Sequence, residues 1–167
     1  PAGVRFINEN NTSISEFYRR STYFPCITML ASTWNFDLAY EFGRAYGAEA
    51  QAVGVEVMLA PGMNIHRNPL GGRNFEYISE DPFVTGRFAT AITLGCQSRG
   101  VSVSVKHFAA NSQENNRFQQ DTKVSPRAIR EIYLKAFEMV CKDANPGTMM
   151  SSYNYVNGVS TGEHYEL

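Results

Sequence analysis

The sequence has no long hydrophobic run, no surplus of one charge and no paired cysteine motif. None of its apolar stretches approaches the roughly 18 residues that a membrane-spanning helix needs, so we expect no membrane partner. The net charge is -1 and no Lys/Arg cluster could follow a phosphate backbone, which argues against nucleic acid as a partner. Cys26, Cys96 and Cys141 lack CxxC spacing and lie in apolar stretches, so we interpret them as small core residues that do not settle the compartment.

Signals for a metal or a cofactor are also missing. No GxGxxG follows the first predicted strand. His66 and His107 lie far apart, without an HExxH motif or a cysteine partner, so we expect neither a metal ion nor a cofactor. We interpret His66 as a structural histidine whose ring is hydrogen-bonded.

The apolar content is that of one globular core. Of the 167 residues, 43% are hydrophobic and 13% aromatic, enough for an ordinary domain. There is no linker or low-complexity tract, so we assign residues 1–167 to a single domain. The chain begins at Pro1 without Met or a signal peptide, which is typical of a segment of a longer protein.

Predicted strands and helices alternate along the chain. Strands are predicted at 26–33, 55–61, 101–105 and 148–153, and helices at 35–54, 82–100 and 126–145. Asp81-Pro82 and Ser125-Pro126 are typical helix starts. The apolar face of the first helix would carry Leu38, Phe42, Ala45 and Ala52.

This alternation predicts an α/β fold with parallel strands, either a doubly wound sheet or part of an eight-stranded barrel. Polar side chains follow several different strands, which favours a barrel whose mouth is built from strand ends. Such a barrel needs about 250 residues. We therefore predict a partial (β/α)8 TIM-like barrel, with about half of the barrel in this chain, later strands absent and two strand edges left to pair with the remainder of the polypeptide.

The segment VSVSVKHFAAN (101–111) predicts a strand with a candidate site at its end. Valines and serines alternate, which indicates tight packing on both faces. Lys106 and His107 then follow where the strand runs out. Burying an unpaired ammonium is costly, so this end of the strand should face a cleft or a ligand.

The polar residues near the predicted mouth are mostly hydrogen-bond donors. Guanidinium and ammonium groups hold hydroxyls or anions at defined angles, so a polyhydroxylated or anionic ligand fits them. The donors are Arg5, Arg73, Lys106, His107, Arg117 and Tyr153.

Structural roles remain open for the same residues. Arg73 could pair with Glu76 or Glu80 to hold its own loop, and Arg117 could pair with Glu114. Lys106 alone could be a Schiff-base lysine, as strand-end lysines are in some barrel aldolases. The residues by themselves therefore predict a donor-rich barrel mouth and no particular reaction.

Four segments stand out as consecutive blocks: PAGVR (1–5), APGMNIHRNPLGGRNFEYISEDP (60–82), KHFAANSQENNR (106–117) and MMSSYNYVNG (149–158). In this order they resemble the signature blocks of glycoside hydrolase family 3, in its β-glucosidase and β-xylosidase branch. The N-acetylglucosaminidase branch has Gly-rich and His-Asp elements after its Lys-His-Phe, and AANSQENNR does not resemble them.

The resemblance implies a TIM-like barrel that binds the non-reducing-end sugar in its mouth. It implies the sugar-binding half of a retaining, exo-acting β-glycosidase, most similar to a β-glucosidase, with a β-linked glucoside or oligosaccharide as partner. It also implies that the sugar is bound by Arg5, Arg73, Lys106, His107, Arg117 and Tyr153. Aiming both Lys106 and His107 inward departs from strand alternation, so we expect a strained or cis peptide between Lys106 and Phe108.

No catalytic carboxylate is expected within the chain. The family's nucleophile is an aspartate in a Ser-Asp-Trp-like block, which the resemblance implies after Leu167, and its acid/base glutamate comes from a later domain. Retaining hydrolysis needs both carboxylates about 5 Å apart. The isolated segment should therefore be inactive, and a catalytically inactive carbohydrate-binding or scaffold module of the same fold is the alternative.

Overall fold

The computed structural model describes residues 21–167, and the fold they form is α/β. Arg5 lies outside the described residues. The helices are α1 (Ile27–Ala31), α2 (Phe36–Ala52), α3 (Pro82–Gln97), α4 (Pro126–Ala128) and α5 (Lys135–Ala144), with a 3-10 turn at Asn74–Glu76 and a π-helical turn at Ile129–Tyr133. The strands are β1 (Val57–Met58), β2 (Ser102–Phe108), β3 (Asp121–Thr122), β4 (Thr148–Ser151), β5 (Tyr155–Val156) and β6 (Val159–Ser160). None of these helices is both long and apolar enough to cross a bilayer.

Three parallel strands form the main sheet, in the order β1-β2-β4. Val57 pairs with Ser102 on one side of β2, and Ser104 pairs with Thr148 on the other. A second small sheet has the order β3-β5-β6, with β5 and β6 antiparallel. Because β1, β2 and β4 run the same way, their carboxyl ends lie at one edge of the main sheet.

Strand β2 is packed on both faces, as its alternating sequence predicts. Val103 and Val105 are buried on one face and Ser104 on the other. The pairing with β4 shifts register between Lys106 and Phe108. Cis peptide bonds join Lys106 to His107 and Phe108 to Ala109, which confirms the expectation of a cis peptide in this segment.

The predicted helix starts are confirmed. The Asp81 carboxylate accepts hydrogen bonds from the backbone N–H groups of Phe83 at 2.7 Å and Val84 at 2.9 Å, and Pro82 occupies the first helical position of α3. Ser125 caps α4 in the same way, through the N–H of Ala128 at 3.2 Å.

Helices α2 and α3 pack through small residues. A Cβ atom added to Gly43 would overlap the carbonyl oxygen of Ile92, and one added to Gly95 would overlap that of Tyr40. The predicted apolar face of α2 is therefore wrong for Leu38, Ala45 and Ala52, which are exposed. Close approach of two backbones selects the small-residue face instead, which carries Ala39, Gly43, Gly47 and Ala50.

The strand predicted at 26–33 is wrong, because this segment forms the short helix α1. A strand would point the adjacent Leu30 and Ala31 to opposite faces, whereas the helical turn buries both. The Thr28 hydroxyl lies 2.7 Å from each of the carbonyl oxygens of Asn74 and Tyr77, which ties α1 to the 3-10 turn. Short apolar runs do not distinguish a strand from a buried helix.

One further strand and one further helix are found where they were predicted, but the strand is shorter and the helix is interrupted. Strand β1 is shorter than the predicted 55–61, and its pairing with β2 resumes at a single bridge between Gly62 and Lys106. The helix predicted at 126–145 is interrupted by a π turn, in which the N–H of Leu134 donates to the carbonyl of Ile129 at 2.8 Å.

Only one of the three cysteines is a core residue. Cys96 is buried on α3, but Cys26 and Cys141 are exposed. On α5 the buried positions are Ala136, Phe137, Val140 and Ala144, so Cys141 lies beside the buried stripe rather than within it.

The contact between α2 and α3 predicts that Gly43→Ala lowers the melting temperature of the intact protein. Alanine gains about 1 kcal/mol in helix propensity, but overpacking costs about 1–3 kcal/mol, and here the overlap is with backbone that cannot rotate away. Gly162→Ala is the control, because its new Cβ would meet nothing closer than the Ser160 hydroxyl at 4.0 Å. Equal melting temperatures for the two variants would contradict this packing.

Candidate functional site

The predicted site residues within the described chain form one cluster at the carboxyl ends of β1, β2 and β4. Lys106 and His107 lie in β2 just before its last residue, Phe108, and Tyr153 follows β4. Arg73 comes from the loop after β1, just before the 3-10 turn, and Arg117 from the loop after β2. Five of the six predicted residues thus lie in this cluster, and Arg5 falls outside the described residues.

The ammonium group of Lys106 is half-buried and makes no hydrogen bond to any described residue. Burial lowers the pKa of Lys106, the nearby Glu76 carboxylate raises it and Arg73 lowers it further. Donors without protein partners are costly to bury, so this group is suited to bonding a ligand.

His107 is held by its backbone. The Asn64 side chain donates to the His107 carbonyl at 2.9 Å and accepts from the His107 N–H at 3.0 Å. The Nδ1 atom of the ring lies 3.1 Å from the Tyr77 hydroxyl. These contacts fix the main chain and the ring of a residue that is only 6% exposed.

Burial is also the main reason that His107 is neutral. It lowers the pKa of His107 to about 3, and the positive charges of Arg73, Lys106 and Arg117 act in the same direction. An imidazolium would be both desolvated and repelled here. His107 therefore enters any chemistry at neutral pH as an uncharged ring.

Two glutamates hold the two arginines. Arg73 pairs with Glu76, and its Nη1 lies 3.7 Å from a Glu114 oxygen. Arg117 pairs with the other Glu114 oxygen at 3.1 Å. The pairs with Glu76 and Glu114 that we considered as structural roles are therefore formed, and they orient the guanidinium groups within the cluster.

An aromatic surface borders the cluster. The Arg117 guanidinium carbon lies 5.2 Å from the ring centroids of both Phe118 and Tyr153, within cation–π distance. The two rings are 4.8 Å apart and more than half exposed. These two exposed rings form an apolar wall beside the polar donors of the cluster.

His66 does not behave as predicted. Its backbone N–H donates to the Ser79 carbonyl at 3.2 Å, but its Nε2 atom is enclosed and has no hydrogen-bond partner within residues 21–167. The expectation that the ring is hydrogen-bonded is therefore wrong for this nitrogen among the described residues. Within residues 21–167 no group of His, Cys, Asp and Glu side chains is arranged to hold a metal ion.

Sequence reasoning missed the residues that support the donors, chiefly Tyr77 and Asn111. Tyr77 is buried and contacts His107 from 30 positions away, and Asn111 donates to the Tyr77 hydroxyl at 2.9 Å. Their only signal was polarity within segments that already contained predicted site residues. Contacts between separate loops are not encoded in local periodicity.

The sequence pattern of the glycosyl hydrolase family 3 N-terminal domain matches residues 6–166. The chain belongs to this family. β-Glucosidase A of Butyrivibrio fibrisolvens is 48% identical over 167 residues, all of this chain and 19% of that protein. An exo-α-(1→6)-L-arabinopyranosidase of Bifidobacterium longum is 50% identical over 147 residues, 88% of this chain and 19% of that protein.

Solved structures agree with this assignment. β-Glucosidase 3B from Thermotoga neapolitana, in complex with glucose, matches with a TM-score of 0.81 and 53% identity over 85% of this chain and 20% of that chain. A β-glucosidase from Paenibacillus barengoltzii matches with a TM-score of 0.85 and 49% identity over 87% of this chain and 16% of that chain. This chain spans about a fifth of the length of the curated relatives it matches.

The low pKa of His107 predicts a loss of stability in mild acid. Between about pH 3 and pH 6.5 the unfolded state binds more protons than the folded state, so the free energy of unfolding falls as the pH drops below about 6.5. The slope contributed by this group is at most about 1.4 kcal/mol per pH unit.

Melting temperatures of the intact protein at pH 7.5 and pH 5, compared with those of His107→Gln, measure this contribution. The variant should lose less stability between the two pH values, since it has no imidazole to protonate. An identical loss in both proteins would contradict the assignment.

Proposed function

We propose that this chain is the sugar-binding half of a retaining, exo-acting β-glycosidase that hydrolyses terminal non-reducing β-D-glucosyl residues. The observation that carries the proposal is the convergence of Arg73, Lys106, His107 and Arg117 at one strand edge. Within this cluster the nearby carboxylates are paired with arginines, whereas the Lys106 ammonium group makes no hydrogen bond to the part of the chain that the structure describes. Such a site has donors to offer a polyhydroxylated ligand.

The proposed architecture is a partial (β/α)8 barrel belonging to one domain. It is supported by three parallel strands joined through helices, with polar residues after each strand. The outer edges of β1 and β4 have no further strand among the described residues. In this proposal the remainder of the same polypeptide continues the barrel on both sides.

In the proposed complex, Lys106 and His107 bond hydroxyls of a single sugar ring. The guanidinium groups of Arg73 and Arg117, oriented by Glu114, bond further hydroxyls, and Tyr153 forms part of the apolar wall. The sixth predicted residue, Arg5, is proposed for the same subsite from the sequence resemblance alone.

The charge of the cluster argues that catalysis needs residues beyond this set. The transition state of glycoside hydrolysis resembles an oxocarbenium ion and is positively charged, so Arg73, Lys106 and Arg117 by themselves would disfavour it. Two carboxylates about 5 Å apart must offset that charge. We propose that the remainder of the polypeptide supplies the nucleophilic aspartate and the acid/base glutamate.

The relatives support a glycoside substrate and leave the sugar to be tested. Several are named β-glucosidases, and the Thermotoga structure contains glucose. The Bifidobacterium relatives are named for an L-arabinopyranoside instead. We take a β-glucoside as the first candidate because it is the more frequent of these substrates among the named relatives.

A non-catalytic sugar-binding module is the second candidate. It is favoured by the engagement of both carboxylates near the donors, Glu76 and Glu114, in pairs with arginines. Such a protein would bind glucose or a β-glucoside without turning it over.

The deciding experiment is hydrolysis by the intact protein of the 4-nitrophenyl derivatives of β-glucose, β-xylose, β-N-acetylglucosamine and α-L-arabinopyranose. We expect the β-glucoside to react fastest. Lys106→Ala should lower its kcat/KM by about 10- to 100-fold, the cost of a lost charge-assisted hydrogen bond. Lys142→Ala is the matched control, because Lys142 is exposed on α5 and should leave kcat/KM unchanged.

Each outcome separates the candidates. An unchanged kcat/KM for Lys106→Ala would refute the proposed role of the strand end. Sugar binding without turnover of any substrate would favour the non-catalytic module. Faster turnover of the arabinopyranoside would keep the glycosidase and change the sugar.

A further inference from the structure

Four buried or half-buried side chains form a hydrogen-bonded chain that ends on the His107 ring. Glu114 contacts Asn111, Asn111 contacts Tyr77, and Tyr77 contacts His107, at 2.8, 2.9 and 3.1 Å respectively. The Glu114 carboxylate at one end of this hydrogen-bonded chain can only accept hydrogen bonds. The donor and the acceptor of each following hydrogen bond can therefore be assigned in turn.

The carboxylate fixes the orientation of the Asn111 amide. Glu114 can only accept hydrogen bonds, so the Asn111 nitrogen must face it. The same nitrogen lies 2.9 Å from the Tyr77 hydroxyl and uses its second hydrogen there. The Tyr77 oxygen is thus an acceptor towards Asn111, and its own hydrogen is left to donate elsewhere.

His107 is the remaining partner of that hydroxyl. Among the described residues, the Tyr77 hydroxyl contacts only Asn111 and the Nδ1 atom of His107. If Nδ1 accepts, every hydrogen in the chain has an acceptor. If Nδ1 carried a hydrogen, the hydroxyl hydrogen of Tyr77, a residue only 3% exposed, would be buried without an acceptor, at a cost that favours the first arrangement.

Asn64 offers the competing arrangement. Its Oδ1 atom lies 3.3 Å from Nδ1 and would accept a hydrogen from it. That oxygen already accepts the backbone N–H of His107 at the shorter distance of 3.0 Å. Asn64 therefore has its acceptor satisfied in either case, whereas Tyr77 has its donor satisfied in only one.

The other ring nitrogen of His107 is directed away from these partners. Nε2 makes no hydrogen bond to a described residue, whereas Nδ1 lies within hydrogen-bond distance of both Tyr77 and Asn64. The ring is neutral because burial and three neighbouring cations oppose its protonation. A neutral ring with Nδ1 accepting carries its single hydrogen on Nε2.

We propose that Tyr77 is a positioning residue that holds His107 as the Nε2–H tautomer, so that the ring presents a donor and not an acceptor to the ligand. Naming the acceptor as a sugar hydroxyl rests on the proposed function. The tautomer itself rests only on the contacts among Glu114, Asn111, Tyr77 and His107.

The test is ¹⁵N NMR of the intact protein labelled at the histidine ring nitrogens. The signals of His107 are those lost in His107→Gln. In the unsubstituted protein we expect a pyridine-like signal for Nδ1 and a pyrrole-like signal for Nε2. In Tyr77→Phe the hydrogen should move to Nδ1, which then donates to Asn64, and kcat/KM for the β-glucoside should fall by about tenfold.

A second variant keeps Tyr77 in place. In Asn111→Asp the new carboxyl group would share one proton with Glu114, because two carboxylates this close do not both ionise, and its oxygen would accept the Tyr77 hydrogen. The hydroxyl oxygen could then only accept from Nδ1, and the ring signals should again exchange. Tyr40→Phe is the matched control on α2, where the hydroxyl has no hydrogen bond to a described residue, and it should leave the ring signals unchanged.

A pyrrole-like Nδ1 in the unsubstituted protein, or unchanged ring signals in both Tyr77→Phe and Asn111→Asp, would overturn the inference. These readouts do not depend on turnover. If the ring signals behave as expected but the intact protein hydrolyses no glycoside, the tautomer is supported and the proposed function is refuted. If the protein hydrolyses the β-glucoside but the ring signals are the same in both variants, the proposed function is supported and the tautomer is refuted.

Discussion

The reciprocal hydrogen bonds between the Asn64 side chain and the His107 backbone are the contact on which the site depends. They join the loop after β1 to the end of β2 at the point where the β2–β4 register shifts. A buried amide that loses such partners costs about 1–3 kcal/mol for each unsatisfied group. Arg73 follows Asn64 in the loop after β1, Lys106 directly precedes His107, and Arg117 follows His107 in the loop after β2.

Charge balance is the second constraint on the site. Three cations lie close together, and Glu76 and Glu114 offset part of their repulsion while orienting both guanidinium groups. Burial and, to a lesser extent, these same cations lower the pKa of His107 and keep its ring neutral. In the proposed function such a cluster bonds neutral hydroxyls, and carboxylates outside this set stabilise the positively charged transition state.

Local chemistry made some parts of the fold predictable. Asp81-Pro82 and Ser125-Pro126 marked two helix starts, and valine–serine alternation marked β2 with both faces packed. The strand prediction for 26–33 was wrong because a short apolar run is compatible with either a strand or a helix. The hydrogen bonds of Thr28 with the backbone of the 3-10 turn stabilise the helix. The prediction of the core face of α2 was wrong because the buried face is the one whose backbone lies close to α3, and not the one with the largest apolar side chains.

The sequence by itself determined the α/β class, the order of most elements, the family resemblance and the donors Arg73, Lys106, His107, Arg117 and Tyr153, because these depend on residue type and local spacing. Only the tertiary structure decided which carboxylates pair with the two arginines and which groups hydrogen-bond to the His107 ring. The partners of that ring, Asn64 and Tyr77, lie 43 and 30 positions away, and no local pattern specifies a contact at such separations.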